Sequence, residues 1–320
     1  MSRYCWLASY PKSGNTWFRM VAANLRADGD DPVDINALPE RAAIASARQP
    51  FDNVLLVDSA LLTHSEVDRM RPMLHRFLAA EGDDDFADPR QRRAAAARSD
   101  PGAILVKTHD GYTRTDQGEP LLGGAEAAAG AILIVRDPRD VAPSLANHMD
   151  LDLDAAIAFM ADGGSSLFGS VNTLSHQLRQ QLLGWSAWHE SWLEQSDLPV
   201  HLLRYEEMQA DPVASLAAAL SFAGQEVDRE KLAKAVDLAR FDRLQAREAQ
   251  TGFREAPVGR QFFRRGESGG WRGELGAERA ARIVRDHGAM MARLGYDPGD
   301  GRGSGIRAGA GGQDAVPTNR

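Results

Sequence analysis

The chain has 320 residues, of which 43% are hydrophobic and 26% charged, the composition of a globular protein with one large domain or two modest ones. A net charge of −8 argues against a general binder of nucleic acid or anionic membrane, while leaving room for a local basic pocket. Cys5 is the sole cysteine, which excludes an intramolecular disulfide and a cysteine-based zinc site. No apolar run approaches the ~20 residues of a membrane helix and no apolar signal core follows the start, so a reduced, cytoplasmic protein without a membrane span is expected.

Residues 4–8 are the first of four short apolar runs bounded by turn or polar residues; the others are 103–106, 131–135 and 200–203. Such runs predict buried strands, and the helical patterns between them predict an α/β domain with a parallel sheet flanked by helices. Residues 16–25 read as a helix directly after the first strand. Residues 28–100 are less regular, with acidic turns from Glu81 to Asp85 and an Ala/Arg-rich stretch near Arg93; they read as a helical insertion forming a substrate wall or lid. Leu182, Trp185, Trp188 and Trp192 fall at helical spacing, the pattern of core packing. The domain is expected over residues 1–298, and the Gly-rich residues 299–320 read as a disordered tail.

Four segments carry chemistry. Ser9-Tyr10-Pro11-Lys12-Ser13-Gly14-Asn15-Thr16-Trp17 joins the first strand to its helix, where backbone N–H groups and the helix dipole favour an anion. Lys12 adds a charge, Ser13, Asn15 and Thr16 add donors, and Gly14 permits close approach of the backbone. Spacing alone leaves open a plain strand-to-helix turn capped by Ser13 or Asn15. The ATP/GTP loop G-x-x-x-x-G-K-[ST] is not matched. At the end of the third strand, Arg136 offers a planar fork for phosphate oxygens and Ser144 follows in a helical stretch; an Arg–Asp structural pair is the plain reading of the same residues. Lys107-Thr108-His109 ends the second strand, on the sheet edge where α/β ligands bind, and an imidazole there can accept a proton near neutral pH. The fourth segment, Phe263-Arg264-Arg265-Gly266-Glu267-Ser268-Gly269-Gly270-Trp271-Arg272, is basic at its start. It contains G-x-S-x-G, but Trp271-Arg272-Gly273 interrupts any following helix and His287 is the only later histidine, which disfavours a serine hydrolase.

Tyr10-Pro11-Lys12-Ser13-Gly14-Asn15-Thr16-Trp17 resembles the 5′-phosphosulfate loop of sulfotransferases that use 3′-phosphoadenosine 5′-phosphosulfate (PAPS). The resemblance implies a single P-loop-like domain related to nucleotide kinases. Ser13, Gly14, Asn15 and Thr16 would hold the 5′-phosphate, Lys12 the bridging oxygen, and Trp17 would lie against adenine. Arg136 and Ser144 match the family's 3′-phosphate pair in spacing, and Arg264, Arg265 and Gly266 resemble the R-K-G that closes over the same phosphate. Tyr205, in Tyr205-Glu206-Glu207-Met208, resembles the tyrosine that touches adenine, and Phe241 the aromatic that stacks on it. His109 takes the place of the family's catalytic base, with Lys107 beside it on the sulfuryl group.

The departures are specific. Arg265 and Arg272 replace lysines, Gly270 replaces an acid, Ala239 replaces a hydroxyl residue, and Asp110-Gly111 is more polar than the family's leucine-proline. A dimer segment of some animal relatives is absent before Arg264, which leaves the oligomeric state open. The expected reaction is sulfuryl transfer from PAPS to a small-molecule hydroxyl, releasing 3′-phosphoadenosine 5′-phosphate (PAP), with no metal and no nucleic acid. The acceptor pocket is expected from the insertion and residues 149–180, and His148 is a weaker candidate for lining it. A small-molecule kinase and a non-catalytic PAP- or PAPS-binding protein are the alternatives.

Overall fold

The protein is described from a computed structural model, which covers residues 4–38, 44–81, 102–170, 172, 175–257 and 259–299. The acidic turns after residue 81, the stretch near Arg93 and the tail lie outside the described residues.

Strand β1 (Tyr4–Ser9) leads into helix α1 (Asn15–Ala27), followed by α2 (Arg48–Leu55) and α3 (His64–Glu81). Then come β2 (Ile104–Thr108), β3 (Ala128–Val135), α4 (Pro138–Met149) and α5 (Leu153–Ala161). A two-residue ribbon, β4 (Ser166–Leu167) with β5 (Gln180–Gln181), precedes α6 (Gly184–Glu194) and β6 (Val200–Arg204). Five helices complete the order: α7 (Tyr205–Ala210), α8 (Pro212–Phe222), α9 (Arg229–Leu238), α10 (Phe241–Thr251) and α11 (Gly276–Arg293).

The four predicted strands form one parallel sheet in the order β2-β1-β3-β6. Every residue of β1 is buried, as expected of a central parallel strand covered on both faces. Its alternating side chains divide between two cores. Tyr4, Trp6 and Ala8 pack with Leu133, with the α6 tryptophans and with Ile283 and Met291 of α11. Cys5 and Leu7 face the other way, among Ile132, Phe18 and Met20 of α1 and Leu216 and Leu220 of α8. Trp185, Trp188 and Trp192 are fully buried, so the tryptophan stripe is core.

The chain order β1, β2, β3 runs first to one side of β1 and then to the other. This leaves a crevice at the carboxyl ends of the strands, the general ligand position in open α/β sheets. The insertion wraps one flank of it. Phe51, Val67 and Leu74 form a small separate core there with Leu178. Residues 44–48 are laced between two distant segments: Ala45 N–H donates to the Lys107 carbonyl (2.9 Å), Leu178 N–H to Ser46 (2.7 Å) and Arg48 N–H to His176 (3.1 Å).

Asp110, more polar than the leucine of the family pattern, is fully buried outside the cavity lining. Its carboxylate receives both terminal nitrogens of Arg71 on α3, at 3.2 and 2.6 Å, and the Gln181 N–H at 2.9 Å. Both partners are wholly out of water, so either one alone would be a stranded charge.

Candidate active site

A cavity of about 680 Å³ opens at the carboxyl ends of the strands. Its walls include Lys12, Gly14, Asn15, Thr16 and Trp17 after β1, and Lys107 and His109 at β2. Arg136 after β3, Ser144 on α4 and Tyr205 after β6 join them. Phe241, Arg264, Arg265 and Gly266 close the remaining side. Ser13 is the one predicted site residue outside this lining: it is fully buried and its hydroxyl has no partner.

The loop after β1 is tightly constrained. Lys12 has φ 70° and Gly14 φ 106°, both in the left-handed region that side chains disfavour. A Cβ on Gly14 would sit 2.5 Å from Cδ2 of Tyr205, so glycine is demanded by the backbone and by the neighbouring ring together. Asn15 Nδ2 turns back to the Leu7 carbonyl (3.0 Å) and Ser9 Oγ (3.2 Å), tying the loop to β1. Its amide is therefore committed to the strand, and an anion above the loop would meet its backbone N–H instead. Lys12 Nζ lies 3.4 Å from the centre of the Phe262 ring. Burial, with Arg136 and Lys107 nearby and Glu255 opposing them, lowers its pKa to about 7.

His109 is fixed from behind. Its Nδ1 lies 2.7 Å from the Ser9 carbonyl, which can only accept, so Nδ1 carries the hydrogen and Nε2 presents a lone pair. Trp188 Nε1 donates to the His109 carbonyl (2.8 Å), and Trp192 Nε1 to that of Asp110 (3.0 Å). Burial first, and then the Lys107 charge, push the imidazole pKa down to about 3, so it is neutral at ordinary pH. Glu255 completes this end: it pairs with Arg19 (2.8 Å) and Lys107 (3.6 Å) and accepts from Thr16 Oγ1 (3.4 Å). Burial alone would raise its pKa, but Lys107 and Arg19 outweigh that and hold it below the usual carboxylate range.

At the other end Arg136 bridges two loops, donating to the carbonyls of Lys12 (3.1 Å) and Glu267 (2.8 Å) while lying over the Tyr205 ring at 4.3 Å. Its Nε is buried without a partner. Asp140, in the first turn of α4, accepts from the N–H groups of Gly269 (2.6 Å) and Trp271 (2.9 Å). The basic segment is thus anchored by an acid on another element, which supplies the fixing role that Gly270 cannot. Glu248 holds the start of the segment through the N–H groups of Phe262 and Phe263. Ser144 lies one helical turn beyond Asp140, on the same face of α4.

Between these ends stand three aromatic residues. Trp17 meets Tyr205 edge-on at 6.1 Å and donates its indole N–H to the Ala239 carbonyl (3.0 Å). The Tyr205 hydroxyl donates to the Gly266 carbonyl (3.0 Å). Phe241 packs so closely that a Cβ on Gly266 would come within 2.2 Å of its ring. Trp17, Tyr205 and Phe241 give this part of the cavity apolar walls.

The far wall comes from Ile44, Ala47 and Gln49 of the insertion and from Leu167, Phe168 and Gln177. His148 lines the cavity too, edge-on to Phe262 at 5.8 Å, with its Nδ1 buried and unpartnered. Ser268 Oγ bonds Gln209, whereas His287 pairs with Ser186 (2.8 Å), so no serine-hydrolase arrangement forms around G-x-S-x-G. Sequence reasoning missed Asp140, Glu255 and the two indole donors. Each acts through a partner far away in the chain, which no local spacing reveals.

The family profile described as "Sulfotransferase domain" matches residues 3–295. No curated protein matches the chain. Among solved structures, a retinol dehydratase in complex with androsterone and inactive cofactor PAP aligns at TM-score 0.51 and 16% identity, over 90% of this chain and 80% of that one. A mouse sulfotransferase, SULT7A1, complexed with PAP aligns at 0.50 and 19%, over 90% and 84%. A retinol dehydratase with retinol and PAP aligns at 0.53 and 17%, over 91% and 81%. At these identities the structures support the same fold.

Proposed function

The chain belongs to the sulfotransferase domain family, and from that premise we propose that it transfers a sulfuryl group from PAPS to the hydroxyl of a small-molecule acceptor and releases PAP. The observation that carries this reading is one cavity with a lone-pair imidazole and two lysines at one end, an aromatic slot in the middle and a cluster of guanidiniums at the other. The residues fit the donor: the buried Ser13 hydroxyl and Arg136 Nε are polar atoms without partners beside the loop and the cavity.

In this mechanism the acceptor oxygen attacks sulfur in line as the bond from sulfur to the 5′-phosphate oxygen breaks. The hydroxyl proton passes to His109 Nε2, and the electron pair of the broken bond stays on the phosphate. Lys12 and the N–H groups of the loop stabilise the charge growing there, a preorganised arrangement of the kind that dominates many rate enhancements. Lys107 steadies the sulfuryl oxygens. An arriving anion would counter the repulsion that Lys12, Lys107 and Arg136 exert on one another and draw a proton onto Lys12, whose unliganded pKa of about 7 leaves it only partly charged. The acceptor fits the wall of Ile44, Ala47, Leu167 and Phe168, where apolar side chains stand beside the amides of Gln49, Gln177 and Gln180.

Calorimetric titration with PAP, AMP and Mg-ATP tests the reading. Binding of PAP that depends on its 3′-phosphate and needs no magnesium supports it. No binding of PAP, or a preference for Mg-ATP, overturns it in favour of a kinase.

A further inference from the structure

Arg264 and Arg265 are not idle. Both terminal nitrogens of Arg264 reach the Glu274 carboxylate, at 2.6 and 3.0 Å, in the forked geometry that guanidinium adopts with carboxylate or phosphate. Arg265 lies 3.3 Å from the same carboxylate. Glu274 itself lines the cavity, and its side chain is only 18% exposed, whereas Arg264 and Arg265 are 32% and 48% exposed. One carboxylate thus occupies the two cations that close the nucleotide end.

We infer that Glu274 is an internal competitor for the 3′-phosphate of the donor, holding Arg264 and Arg265 until that phosphate displaces it and re-engaging them when PAP leaves. The inference rests on the donor reading above. A phosphate monoester carries about −1.5 to −2 near neutral pH, against −1 for the carboxylate, so it wins the exchange. The contact that it breaks is subtracted from its affinity. A nucleotide with no 3′-phosphate leaves Glu274 seated and loses nothing. Glu274 therefore acts selectively: it loosens PAP, a product that must depart each turnover, and leaves AMP untouched.

The experiment is calorimetric titration of the full chain and its Glu274→Gln variant with PAP and with AMP. For a forked but partly exposed ion pair, PAP should bind roughly three- to ten-fold more tightly to the variant, with AMP unchanged. AMP binding also reports that the variant's site is folded. Unchanged or weaker PAP binding, with AMP preserved, would make Glu274 a brace for Arg264 and overturn the inference. Equal tightening of both nucleotides would reduce it to a general effect of charge and overturn it as well. A wild-type chain that binds no PAP at all defeats the donor reading itself, a result distinct from either of these.

Discussion

Replacing Asp140 by alanine removes the acceptor of two backbone N–H groups, those of Gly269 and Trp271, and so unfastens the basic segment from α4. A hydrogen bond to a charged acceptor contributes about 1.5–3 kcal/mol, which sets a gross loss of about 3–6 kcal/mol. Two effects reduce it. Gly269 is half-exposed, so its N–H can return to water, whereas Trp271 is buried and its N–H is left without a partner. Removing a carboxylate near the proposed phosphate site also relieves a repulsion of about 1 kcal/mol at a high effective dielectric. The net expectation is about 2–3 kcal/mol, or roughly 30- to 150-fold weaker PAP binding. AMP, which does not use this end of the cavity, should bind within about three-fold of wild type and thereby report an intact 5′ site. Asp140→Asn keeps one acceptor oxygen but sets an N–H against the second donor, so its loss should be intermediate. Calorimetric titration of the three proteins with both nucleotides checks this. PAP affinity within three-fold of wild type in Asp140→Ala would refute the anchoring argument.

Phe241→Ala should weaken PAP and AMP alike, by about 1–3 kcal/mol, if the ring faces the base that both share as proposed; a loss confined to PAP would place Phe241 elsewhere in recognition. His109→Ala should lower sulfuryl transfer by roughly 10²–10⁴-fold while leaving PAP affinity near wild type, and near-normal turnover would remove it as the base. Trp188→Phe keeps the aromatic bulk but deletes the indole donor to the His109 carbonyl, so turnover should fall several-fold with PAP binding unchanged; an equal fall in both would mean a packing defect. Acid should destabilise the fold early. His109, His148 and His189 have pKa values lowered from 6.5 to about 3, chiefly by burial, so the unfolded chain binds protons that the folded one refuses. Their contribution is complete above pH 6.5 and declines as pH falls towards 3. The melting temperature, followed by circular dichroism, should already drop between pH 6.5 and 4.5; a flat profile there would contradict the burial of these imidazoles.

The strands were legible because β1 and β3 are buried on both faces, and such strands read as unbroken apolar runs whatever lies around them. The loop from Tyr10 to Trp17 was legible because its chemistry is local, with backbone, glycine and lysine within eight residues. Asp140 was not. In sequence it is an ordinary acid in a first helical turn, and its partners Gly269 and Trp271 stand far along the chain. The absence of an acid at Gly270 therefore looked like a lost anchor, when the anchor had its seat on α4. The tryptophans were read as core, and they are core, but the indole N–H that fixes His109 is a single directional atom that hydrophobic spacing does not encode. Asp110 was no more legible. Beside His109 it read only as a polar departure from the family pattern, while the arginine that claims it, Arg71, sits on an insertion whose packing no pattern announces.

That buried pair has a consequence for how the molecule comes apart. Helix α3 cannot peel away from the sheet without abandoning the Asp110 carboxylate in a dry interior, and β2 cannot fray at its end without stranding the Arg71 guanidinium. Helix α3 and β2 are thereby joined into one cooperative unit of opening. Amides of α3 and of β2 should exchange with solvent deuterium at matching free energies. A proteolytic cut in either should expose the other, so the far wall of the cavity and the strand that carries His109 persist, or are lost, together.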